Sequence, residues 1–152
     1  MHLIQSILVY PPGSYPPDVD DRDLDPSSNF EVYDFQVSDR PPIVGEQRLY
    51  PEGSWVVAAV ESYYPSTPSE ITACHVAVCT IEGSLPDRQT WADADPFILY
   101  IRVKDGAIVE EAAGLADWGI ASSLRGIPQP HQLFQPVSDR PMASYNLIAV
   151  CA

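Results

Sequence analysis

Two stretches of the chain are apolar at successive positions. Trp55-Val56-Val57-Ala58-Ala59-Val60 and Ile71–Ile81 offer hydrophobic side chains to both faces of an extended backbone. This pattern predicts strands over 55–64 and 71–81, joined by the turn Pro65–Pro68 and paired at the centre of a sheet. Elsewhere the pattern alternates. Residues 2–10 set His2, Ile4, Ser6, Leu8 and Tyr10 against Leu3, Gln5, Ile7 and Val9. Residues 30–37 alternate in the same way, which predicts an edge or half-buried strand, and 43–50 predict a weaker one. Phe97–Val103 is a clear strand. It runs into Lys104-Asp105-Gly106-Ala107, and Asp-Gly between apolar runs favours a type I′ hairpin turn, so 107–110 should return antiparallel. Tyr145–Cys151 predicts a last strand, and the two terminal strands should pair with each other or flank one sheet.

One segment carries a helical period. Ala112, Leu115, Ala116, Trp118 and Leu124 form an apolar stripe over 111–125, with Gly126 as the stop. Gly114 and Gly119 oppose it at about 1 kcal/mol each relative to alanine. Residues 127–143 read as irregular. Sixteen prolines favour short elements joined by rigid loops, because proline is excluded from helix interiors and central strands. The expected fold is α+β and β-dominated. It is a mostly antiparallel, six- to eight-stranded curled sheet, barrel or sandwich, with one short helix near 111–125 and the 97–110 hairpin beside the central pair. The 152 residues fit one domain, 1–152.

Charge narrows the partners. Twenty-one acidic side chains against eight basic ones leave a net charge of −13, with Lys104 the one lysine. Such a field repels phosphate backbones and anionic lipid, so neither nucleic acid nor a membrane is an expected partner. A protein with a basic surface is. Residues 2–10 lack the basic leader and small-residue cleavage site of a secretory signal, and no run is long enough for a membrane span. Three cysteines, Cys74, Cys79 and Cys151, do not make a disulfide framework. The expected setting is a reduced cytoplasm. Acidity, small size and a β-rich plan resemble those of small bacterial proteins such as toxin-neutralising immunity proteins, but no motif carries the likeness.

The acid is concentrated in the 11–29 loop, where Asp18, Asp20, Asp21, Asp23 and Asp25 fall within eight residues. A calcium loop from Asp21 fails, because Pro26 stands where glycine must turn and Val32 where the bidentate glutamate belongs. The loop is then either a solvated, self-repelling segment or an acidic binding element. Val37-Ser38-Asp39-Arg40-Pro41 recurs as Val137-Ser138-Asp139-Arg140-Pro141. This is a shared turn solution, or it is a pair of arginines, Arg40 and Arg140, framing one site. Tyr63, at the end of a central strand, and Trp91, beside Asp93 and Asp95, could belong to a recognition surface or to the packing.

Cys74, His75 and Cys79 invite a metal reading, but in a strand Cys74 points opposite to the other two. His75 and Cys79 lie roughly 13 Å apart along the strand, too far to share one ion. Buried small hydrophobes and a satisfied core histidine explain all three. No Gly-x-Ser-x-Gly elbow or glycine-rich phosphate loop is present, so no catalytic residue, cofactor or metal is assigned. The leading expectation is a non-catalytic acidic protein-binding module, accessory or inhibitory. The alternative is a small-molecule or carbohydrate-binding β-barrel, with or without enzyme activity, with its site in a barrel mouth lined by tyrosines and arginines.

Overall fold

A computed structural model describes residues 1–10, 30–50, 53–81, 97–115, 131–136 and 145–151. These form ten strands: β1 (His2–Val9), β2 (Phe30–Val32), β3 (Gln36–Ser38), β4 (Gln47–Tyr50), β5 (Gly53–Pro65), β6 (Ala73–Thr80), β7 (Phe97–Lys104), β8 (Ala107–Leu115), β9 (Gln132–Pro136) and β10 (Tyr145–Cys151). Eight lie side by side in the order β2-β1-β6-β5-β9-β10-β7-β8, with β3 added on β1 and β4 on β5. The sheet curls into a half-barrel. Its two ends approach where Phe35, between β2 and β3, donates its N–H to the Glu111 carboxylate of β8 at 3.2 Å.

The two doubly apolar stretches became neighbours near the middle. β5 and β6 pair antiparallel from Val56↔Thr80 to Tyr63↔Cys74, and every residue of β6 is buried. β1 pairs parallel with β6, and β10 parallel with β7; the remaining described pairs are antiparallel. The terminal strands therefore share one sheet but do not pair with each other.

The fold is all-β over the described residues, which corrects the α+β expectation. No helix is found among them. Residues 111–115, the start of the expected helix, continue β8, and the ladder against β7 runs out to Phe97↔Leu115. An alanine-rich stretch carries little strand preference of its own, but a hairpin already in register offers partners to the N–H and C=O groups of that stretch that face β7. Residues 116–125 lie outside the described residues. Two further differences concern position. The β7–β8 hairpin stands at the far edge of the sheet, separated from β5 by β9 and β10. The expected 30–37 strand is interrupted at 33–35, where Tyr33 N–H turns to the Ser6 carbonyl at 2.9 Å and Phe35 enters the core.

Side chains alternate between two apolar layers. Leu3, Ile7 and Val9 of β1 join Cys74, Val76 and Val78 of β6, Ile101, Phe134 and Ile148 in the larger layer, inside the curl. Ile4, Leu8 and Tyr10 join Ala77, Cys79, Trp55 and Val57 in the smaller layer on the opposite face. A bulge in β5 at Ala58 decides which face the rest of that strand uses. Before it Val57 stands opposite Cys79, and after it Ala59 stands opposite Val78. An extra residue inverts the inside–outside alternation. Ala59 and Tyr63 therefore point into the larger layer, and Val60 packs on the smaller one.

Candidate functional site

A cavity of about 560 Å³ opens at the end of the half-barrel where β1 and β6 begin and β7 turns into β8. Its apolar wall is continuous with the core: Ile71, Val103 and Val150 belong to the larger layer, and Met1 packs against it. Its polar lining comes from Ser69, Glu70, Lys104, Asp105, His131 and Gln132. Hydrogen bonds hold this rim. Gln132 donates from its amide nitrogen to Thr67 Oγ1 at 3.2 Å and to the Pro68 carbonyl at 3.1 Å, tying β9 to the 66–72 segment. Thr72 N–H donates to the Met1 carbonyl at 2.7 Å, and Ile71 N–H to Ser69 Oγ at 3.1 Å. Asp105 and Gly106, at φ 53° and 77°, supply the two positive-φ positions of the hairpin turn. Beside the cavity, the Cys151 thiol and the Tyr100 hydroxyl lie 3.0 Å apart, and this bond, with burial, pushes Tyr100 up to about 12.

On the opposite face three polar side chains from adjacent strands form a line. Ser62 Oγ lies 2.8 Å from His75 Nδ1, and His75 Nε2 lies 3.0 Å from His2 Nδ1. His75 is 3% exposed, while Ser62 and His2 are half-buried. Burial, then the neighbouring His2, lowers His75 to about 4; burial also lowers His2. Both imidazoles are neutral at pH 7.

A third polar group sits further along the same face. Tyr50 OH donates to Ser6 Oγ, and Arg48 lies 3.4 Å from both Ser6 Oγ and Glu46. Burial works against the Glu46 charge, but bonds from Arg40, the Ile43 backbone and Arg48 outweigh it and hold the carboxyl below its usual range.

Of the residues singled out in the sequence, Arg40 is an exposed side chain paired with Glu46 at 2.9 Å and is not part of the cavity lining. Tyr63 is fully buried, and its hydroxyl donates to Glu61. Asp18, Asp20, Asp21, Asp23, Asp25, Trp91 and Arg140 lie outside the described residues. The 74–79 stretch has the strand geometry expected of it: Cys74 faces the larger layer and Cys79 the smaller. Burial pushes both thiols up, Cys79 to about 11. Among the described residues no group of three or more His, Cys, Asp or Glu side chains converges as a metal site. No helix among them is long and apolar enough to cross a membrane.

Nothing in the sequence pattern singles out Ser62, His2 or the cavity lining. The line of three needs the bulge-shifted register of β5, and the cavity joins segments far apart in the chain. Comparison with protein-family models, with curated proteins and with solved structures finds no match.

Proposed function

We propose that the protein binds a small molecule in the cavity at the open end of the half-barrel. The observation that carries this reading is the cavity itself, whose 560 Å³ lies in the range typical of ligand sites. An apolar wall with a few polar groups at the rim suits a compact apolar body with one polar end. Transfer of the apolar part from water supplies the affinity, at about 25 cal/mol per Å² buried, and the rim fixes orientation. Among the described residues no Phe, Tyr or Trp side chain lines the cavity. That favours an apolar ligand over a sugar, which is held by stacking on such rings. Glu70 and Asp105 outnumber Lys104 at the rim, and the chain carries −13, so the polar end is neutral or cationic. The acidic protein-binding reading draws on the Asp18–Asp25 segment, outside the described residues, and has less behind it.

The test is a ligand-observed NMR screen of matched apolar molecules with neutral, cationic or anionic ends. Binders with neutral or cationic ends, displaced in Glu70→Trp, support the reading. Hits that bind Glu70→Trp as well as the parent protein, or no hits at millimolar concentration, contradict it.

A further inference from the structure

We propose that Ser62, His75 and His2 form an acyl-transfer site, with Ser62 as nucleophile toward small carboxylic esters. The proposal is independent of the cavity. Ser62 and His75 stand directly opposite each other on β5 and β6, a pairing that exists because of the bulge at Ala58. In an unbulged strand the register before Ala58 would set Cys74 opposite Ser62 and turn the hydroxyl into the larger layer. Bulges re-aim side chains in this way beside active sites.

The line has the connectivity of a nucleophile, a base and a group that orients the base. With His75 carrying its proton on Nε2, that N–H donates to His2 Nδ1 at 3.0 Å. Nδ1 is then a lone pair facing the Ser62 hydroxyl at 2.8 Å. A core histidine held only for structure needs its two nitrogens satisfied by any available groups. Here the buried imidazole instead joins a half-buried hydroxyl to a half-buried second imidazole, so both ends of the line reach toward solvent. His75 is unprotonated at pH 7, so its Nδ1 lone pair stands open to the Ser62 proton.

The chemistry balances with water as the only co-reactant. Ser62 Oγ bonds to the ester carbonyl carbon as its proton passes to His75 Nδ1. The carbon–oxygen bond to the alcohol breaks, and the alcohol leaves with that proton. Water attacks the acyl-serine, gives a proton to His75, and the carboxylic acid departs as Ser62 recovers its hydrogen. Ser62 and His75 are the catalytic residues. His2 is a positioning residue, acting through His75.

The experiment treats the whole chain with a fluorophosphonate probe, locates the adduct by peptide mass spectrometry, and follows 4-nitrophenyl butyrate hydrolysis. A single adduct on Ser62, absent with hydrolysis in Ser62→Ala, supports the proposal. His75→Gln should slow both reactions roughly 100-fold or more. Should that variant fail to fold, His2 decides: His2→Ala slows labelling, and His2→Gln, whose amide oxygen still accepts from His75 Nε2, restores most of the rate. No adduct at Ser62, hydrolysis by Ser62→Ala at the parent rate, or equal labelling of His2→Ala and the parent protein would overturn it.

Discussion

Phe35 and Glu111 join the two ends of the sheet: the backbone N–H of one donates to the carboxylate of the other at 3.2 Å, across 76 positions of sequence. Among the described residues, the bond that joins these ends runs from backbone to side chain and is not part of a ladder. Burial raises the Glu111 carboxyl, the Phe35 bond works the other way, and Asp34 adds to the rise. A raised acid stabilises the fold most below its unfolded pKa, and that contribution is lost as pH rises through the folded value. Glu111→Gln keeps an acceptor without the buried charge, so it should equal or exceed the parent protein in stability at pH 7. Glu111→Ala should lose about 1–2 kcal/mol. Urea denaturation measures both, and amide exchange at Phe35 should speed up in the alanine variant alone.

His75 makes stability depend on pH. Its folded value of about 4 lies below its ordinary 6.5, because burial and then His2 oppose the charge. The unfolded chain therefore binds more protons between these values, and stability falls as pH drops from 6.5 toward 4. The loss should be on the order of 2 kcal/mol. Glu46, held low in the fold, adds to the acid loss in every variant. In urea melts at pH 7 and pH 4.5, His75→Gln should lose less stability between the two than the parent protein. An equal loss would remove His75 as the cause.

The β7–β8 turn should resist substitution through its backbone alone. Nothing lies within 4 Å of a Cβ built on Gly106, yet its φ is 77°. Gly106→Ala should cost about 1–2 kcal/mol, the usual expense of left-handed backbone for an L-residue. Thermal melting should show it, with no change in the far-UV spectrum of the folded state.

Phe134 is fully buried, and its backbone pairs with Pro65 of β5 on one side and Ile148 of β10 on the other. It links the central strands to the far half of the sheet. Phe134→Ala should lose about 3–5 kcal/mol, and Phe134→Leu a good deal less. Urea denaturation midpoints separate the two.

Phe134 also shows where the sequence runs out. Gln132-Leu-Phe-Gln-Pro is short, bounded by proline and too brief for a period, so β9 was invisible in it. β5, β6 and the Asp-Gly hairpin were legible because doubly apolar runs and a type I′ turn are local signals. Residues 111–115 misled because alanine and leucine at helical spacing are also compatible with a strand, and the partner strand decided. His75 was legible as a satisfied core histidine, but its partners were not. They stand 73 and 13 positions away, and a one-residue bulge determines that Ser62 reaches it. The cavity is a property of how the strand ends converge, which no single stretch encodes.

The central claim, a small molecule in the half-barrel's open end, is tested most directly by amide chemical-shift mapping with a binder from the screen. Saturable shifts should concentrate at Ile71, Val103, Lys104, Gln132 and Val150, which line the cavity. Shifts confined to other surfaces, or none under saturating ligand, would contradict it.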